Sequence, residues 1–177
     1  MKGMVIGMIT LVTGGTRCGK AKYAESVLDS FEGRKYCIAT MGHSGDEAGG
    51  VIARHYMLCK DKNFIALNQP RDIGASRIEE GCGVILECLD LLCLNEMYLG
   101  ADSAADRIIG GIKKLAEKAA ELVIVTNEVG SDGINYSHDT MNFIRQVAEL
   151  NSRIAVFADN VIECVYGIPI VRKGVLR

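Results

Sequence analysis

An excess of either charge, paired cysteines and a membrane-length apolar run are all missing from this 177-residue chain. Its 20 basic and 22 acidic residues leave a net charge of −2. That balance offers no electrostatic footprint for nucleic acid or for an anionic membrane surface. The seven cysteines are scattered, with no C-x-x-C spacing. This speaks against structural zinc and against a secreted disulfide framework. They read as reduced, buried thiols of a cytoplasmic protein. The first apolar stretch, Met4 to Val12, runs straight into a glycine loop without a cleavage-like region. It reads as a core strand, not as a signal peptide or membrane span. Met8 is an alternative start, which would leave residues 1–7 as a loose extension of a single domain. Internal repeats and low-complexity segments are absent as well.

Nearly half of the residues are hydrophobic, and they fall into short β-rich runs between helical patterns. The expected strands are Ile9–Val12, Tyr36–Ala39, Phe64–Leu67, Val84–Leu86, Leu122–Thr126, Val161–Val165 and Ile168–Val171. Several are continuous apolar runs, which suits a parallel sheet covered on both faces. The expected helices are Lys20–Phe31, Asp46–Lys60, Arg71–Glu80, Leu89–Leu99, Ser103–Ala120 and His138–Ala158. Strands alternating with helices imply βαβ units, hence an α/β fold. The last two strands meet at Gly167, which predicts a hairpin at one sheet edge. The stretch Met41–Gly50 is rich in glycine and follows a strand. It therefore belongs to the rim where open α/β sheets bind ligands, and it suits a flap.

The strongest motif is Gly14-Gly15-Thr16-Arg17-Cys18-Gly19-Lys20-Ala21, which reads G-x-x-x-x-G-K between a strand and a helix. In that context the backbone N–H groups converge on phosphate at the positive end of a helix. Lys20 adds a point charge near the β- and γ-oxygens. Ala21 stands where a Ser or Thr hydroxyl normally ligates Mg²⁺. Arg17 either reaches a phosphate or pairs with an acid outside the site. Cys18 reads as a small filler.

Two acids close apolar strands, Glu87 and Glu128. A carboxylate after a strand next to the loop-bearing one is a place for Mg²⁺ or its waters. Either acid can instead cap a helix or meet solvent. His55 lies on the expected helix after the flap. Imidazole is a nucleophile toward phosphorus, and a surface histidine is the plainer alternative. His43 and His138 read as solvated polar residues.

Together these blocks resemble the bifunctional adenosylcobinamide kinase / adenosylcobinamide-phosphate guanylyltransferase family of cobalamin biosynthesis. The resemblance runs from Ile9 to about Lys173. It starts with Leu11 to Lys20 and Lys22-Tyr23-Ala24-Glu25, then takes in Tyr36 to Thr40 and Ile52-Ala53-Arg54-His55. It continues with Leu86-Glu87-Cys88-Leu89, Asn95 and the distinctive Thr126-Asn127-Glu128-Val129-Gly130. It closes with Leu150 to Arg153, Ala158-Asp159 and Gly167-Ile168-Pro169. The resemblance implies a P-loop, RecA-like fold and a trimer. It implies phosphorylation of adenosylcobinamide by ATP or GTP, then transfer of GMP from GTP through a guanylylated histidine. His55 matches that histidine, Lys20 the phosphate ligand and Glu87 the metal-supporting acid. Glu128 joins the loop residues as a nucleotide contact.

The chain departs from the family pattern at Ala21, after His55, after Gly130, and at Asp90, where threonine is usual. Two alternatives follow. One is a diverged enzyme that keeps a single half-reaction or phosphorylates another small alcohol. The other is a non-catalytic nucleotide-binding module.

Overall fold

The computed structural model of the chain describes residues 7–42, 59, 63–98 and 103–176. Seven strands form one sheet: β1 Met8–Thr13, β2 Lys35–Ala39, β3 Phe64–Asn68, β4 Cys82–Glu87, β5 Ala119–Val125, β6 Asn160–Val165 and β7 Ile168–Lys173. All seven expected strands are present. Their order is β3-β2-β4-β5-β1-β6-β7, and only β7 runs antiparallel, as the second arm of an edge hairpin. Four helices are described: α1 Lys20–Val27, α2 Leu89–Met97, α3 Ala104–Lys118 and α4 His138–Phe157. The expected helix at 46–60 falls almost entirely outside the described residues.

The alternation of side chains along each strand divides the core in two. One layer holds Leu11, Ile38, Leu86 and Ile124 against α2, α3 and α4. The other holds Val12, Cys37, Ile85 and Val125 against Ala24 and Val27 of α1 and Leu28 just after it. Both faces are covered, which explains why the central strands read as unbroken apolar runs. Among the described residues no helix is long and apolar enough to cross a membrane.

Two expected helices differ from what the chain forms. The first helix stops at Val27, not Phe31. There Leu28 N–H turns back to Glu25 O at 3.0 Å and Asp29 N–H to Ser26 O at 3.2 Å, tightening the last turn. The expected helix Arg71–Glu80 is reduced to a 3₁₀ turn at Ile73–Ala75. Tertiary contacts take the backbone instead. Asp72 N–H donates to Glu96 Oε1 at 2.7 Å, and Glu96 is itself buried, 3% exposed, beside Arg107 Nε at 2.9 Å. The turn also lies flat on α3, where Gly74 faces Gly111.

That close approach gives a paired test on adjacent residues of α3. A Cβ at Gly111 would stand 2.6 Å from Ile73 Cγ1, whereas one at Gly110 would meet nothing within 4 Å. Gly110→Ala is expected to stabilise the protein by about 0.5–1 kcal/mol through helix propensity alone. Gly111→Ala gains the same propensity but overpacks the turn, and a net loss of about 1 kcal/mol is expected. Urea unfolding of both variants checks the opposite signs.

Candidate active site

Strand β1 delivers the chain into the phosphate loop and α1 receives it at Lys20. Two glycines make the loop's close packing feasible. At Gly14 (φ 143°) a Cβ would strike the Cys164 carbonyl oxygen and lie 2.8 Å from Cys18 Sγ. At Gly19 (φ 99°) it would stand 3.0 Å from Gly167 Cα. Arg17 is also left-handed, at φ 57°, which is uncommon for a residue with a Cβ. Among the described residues no side chain caps α1. A helix start of this kind offers its first amides to an anion. Lys20 is only 8% exposed, and its Nζ donates to Gly15 O at 2.7 Å.

A cavity of about 710 Å³ opens beside the loop. Its wall brings Arg17, Cys18, Gly19, Lys20 and Ala21 together with Glu87, Glu25 and Asn127. Its apolar side is formed by Cys37, Ala39, Ile85 and Val125. No acid among the described residues forms an ion pair with Arg17, so its place in the wall is the informative fact. Gly14, Gly15, Thr16 and Glu128 are not in this wall. Glu128 is exposed, and its contact with the loop is through its backbone: its N–H donates to Gly14 O at 3.1 Å. His55 and His43 lie outside the described residues, and His138 is an exposed first-turn residue behind the Ser137 cap.

The strand order corrects one expectation about Glu87. Its strand is not next to the loop-bearing one, because β5 lies between β4 and β1. The register pairs Val12 with Val125 and Val125 with Glu87. Glu87 thus stands level with the end of β1 but two strand spacings away, about 10 Å between backbones. That gap leaves room for phosphates between the acid and the loop.

The blocks that carry the family resemblance turn out to be hydrogen-bonded to one another. Thr126 Oγ1 donates to Asn151 Oδ1 at 2.9 Å, tying the end of β5 to α4. Asn127 Nδ2 donates to Asp90 Oδ2 at 2.9 Å, tying it to α2. Among the described residues Asp90 Oδ1 is buried without a hydrogen-bond partner. Thr40 Oγ1 accepts from Cys88 N–H at 3.1 Å and donates to Cys88 O at 2.9 Å, which frames the backbone beside Glu87. Asn95 Nδ2 then holds Thr40 O at 2.8 Å. Sequence reasoning gave Asn127 no role in the site. Its only signal was its position in the distinctive string, and its contact with Asp90 is 37 residues away in the chain.

Two thiols of the wall, Cys37 and Cys88, and the core thiol of Cys93 are held in the neutral form. A hydrogen bond with Cys59, then burial, raises Cys37 far above the ordinary thiol range. Burial, with the Asp90 carboxylate beside it, pushes Cys88 up to about 12. Burial likewise raises Cys93 to about 12, helped by Asp90 and Glu96. Neutral thiols are poor nucleophiles and poor metal ligands. Among the described residues no group of three or more His, Cys, Asp or Glu could hold a metal ion by itself.

A glycine loop joined to a helix, at the rim of a mostly parallel sheet with a spacer strand before the acid, defines a P-loop NTPase of RecA-like architecture. Comparison with known proteins narrows the class. The family described as cobinamide kinase / cobinamide phosphate guanyltransferase matches residues 10–171. The chain belongs to that family, and so to the kinases and nucleotidyltransferases of cobalamin biosynthesis. The bifunctional adenosylcobalamin biosynthesis protein CobP of Pseudomonas aeruginosa is 25% identical over 171 residues, covering 94% of this chain and 98% of that protein. The corresponding protein CobU of Salmonella typhimurium is 27% identical over 178 residues, covering 91% and 97%. A solved structure from Pyrococcus horikoshii aligns with a TM-score of 0.52 at 10% identity, over 96% of this chain and 88% of that one. That likeness speaks to the fold alone.

The raised thiols give a direct check on Cys88 of the cavity wall and Cys93 of the core behind it. With a pKa of about 12, a thiol is about one part in ten thousand thiolate at pH 8. Brief iodoacetamide treatment of the native protein at pH 8 is expected to leave Cys88 and Cys93 unmodified. Both should label fully in urea, as read by peptide mass spectrometry.

Proposed function

We propose that this chain phosphorylates adenosylcobinamide with ATP or GTP and then transfers GMP from GTP to the resulting phosphate through a guanylylated His55. The observation that carries the reading is that Lys20, the loop and Glu87 line one cavity. In the kinase step the loop amides and Lys20 spread charge off the transferring phosphoryl group. The aminopropanol oxygen forms the new O–P bond and its proton passes to solvent, while the bond from the γ-phosphorus to its bridging oxygen breaks. In the second chemistry neutral His55 attacks the α-phosphorus of GTP. A P–N bond forms as the bond to the bridging oxygen breaks, and pyrophosphate leaves. The adenosylcobinamide phosphate oxygen then displaces the histidine. Support for His55 comes from the resemblance.

The residues present fit Mg²⁺ bound mainly through nucleotide phosphates and its own waters, because Glu87 puts a carboxylate in the same cavity wall as Lys20. Glu87 would hold the ion or its waters, and the ion would supply charge neutralisation at the phosphates. Ala21 adds nothing to that shell. This favours a second reading, in which guanylyl transfer outweighs the kinase step. A trimer working in the cytoplasm completes the proposal, as the resemblance implies.

Incubation with α-labelled GTP and Mg²⁺ is expected to leave an acid-labile, base-stable label on the protein, and His55→Ala to abolish it. Absence of label while GTP still binds would sink the guanylyl-transfer reading; label that persists in His55→Ala would sink the nucleophile. Ala21→Ser restores a hydroxyl at the metal. It is expected to lower the Mg²⁺ concentration for half-maximal phosphorylation of adenosylcobinamide by about tenfold, the scale of one ligand-shell partner. An unchanged Mg²⁺ profile would show that the hydroxyl is not used here.

A further inference from the structure

We propose that Tyr166 is the platform on which the purine base stacks when a nucleotide occupies the phosphate loop. The inference deepens the nucleotide reading and rests on it. Its ground is the polarity of the site. In the order β4-β5-β1-β6-β7 the loop follows the middle strand. Glu87 and Asn127 stand on the β4 and β5 flank, where the cavity lies. On the other flank, β6 and β7 are joined by the two-residue turn Tyr166–Gly167. A triphosphate seated on Lys20 with its terminal phosphoryl group toward Glu87 must send its nucleoside the opposite way, toward that turn.

The turn touches the loop directly. Gly167 N–H donates to Cys18 O at 2.8 Å. Gly19 passes so near that a Cβ on it would stand 3.0 Å from Gly167 Cα. The base flank of the loop is thus built from the turn, and Tyr166 is the side chain the turn presents.

Neither folding nor turn chemistry accounts for a tyrosine there. Tyr166 has φ 52° and Gly167 φ 82°, a pair of left-handed residues that hairpins ordinarily fill with Asn-Gly or Asp-Gly. A bulky residue in this region is an outlier that points to a use. Tyr166 is 95% exposed, the most exposed large apolar or aromatic residue among the described ones. It contributes almost nothing to the core. An aromatic face beside the loop suits a purine, and because every base offers a π-face the platform serves ATP and GTP alike.

The test uses the full chain and three probes: GTP, ATP and inorganic tripolyphosphate, titrated by calorimetry. Tyr166→Ala is expected to weaken GTP and ATP about tenfold and to leave tripolyphosphate unchanged, with Tyr166→Phe close to wild type. Tyr166→Asn suits the turn better than tyrosine does and is expected to lose the same tenfold, which separates the base contact from any damage to the fold. Wild-type affinity for both nucleotides in the Ala and Asn variants overturns the proposal and leaves the nucleotide reading standing. An equal loss of tripolyphosphate also overturns it, by showing that the turn acts through the loop. If the unaltered protein binds none of the three probes, the nucleotide reading falls and the stacking proposal with it.

Discussion

The tight seating of the phosphate loop against the β6–β7 hairpin is the constraint on which the site depends. Gly14 lies against the Cys164 carbonyl, Gly19 against Gly167, and Cys18 accepts from the Gly167 amide. These are backbone contacts, so they tolerate no Cβ at two positions and fix the loop's path. With the path fixed, α1 begins at Lys20 with its first amides uncapped, and the lysine is buried rather than free in solvent. An edge hairpin that reads as peripheral in the sheet order thus shapes the centre of the molecule.

The other half of the site is placed by register. Val125 pairs with Val12 on one side and Glu87 on the other, so three strand ends come level. Side-chain ties then lock the ends: Thr126 to Asn151, Asn127 to Asp90, Thr40 to Cys88 and Asn95 to Thr40. The Asp90 contact gives physical meaning to a departure from the family pattern. An acid in the first turn of α2 also suits the positive end of that helix.

Much of the fold was legible because a doubly covered parallel sheet writes its strands as continuous apolar runs, and all seven were found within a few residues of their ends. The loop was legible because its glycines and lysine sit in fixed order between a strand and a helix. The segment at 71–80 departs from the expected helix because its backbone is captured by Glu96 and pressed onto Gly111. Strand order was not legible at all. Consecutive strands need not be neighbours, and the spacer strand between Glu87 and the loop is a property of topology rather than of any local pattern. The pairing of Asn127 with Asp90 was hidden for the same reason.

The hydrogen bond from Lys20 to the Gly15 carbonyl has a consequence for how tightly a small polyanion can be held. A lysine ordinarily surrenders considerable rotamer entropy when it is fixed against a ligand. Here the side chain is already confined by burial and by a carbonyl of its own loop. An incoming phosphate therefore exchanges a neutral acceptor for a charged one without first having to order the ammonium, and the site is preorganised in the sense that favours affinity over adaptability.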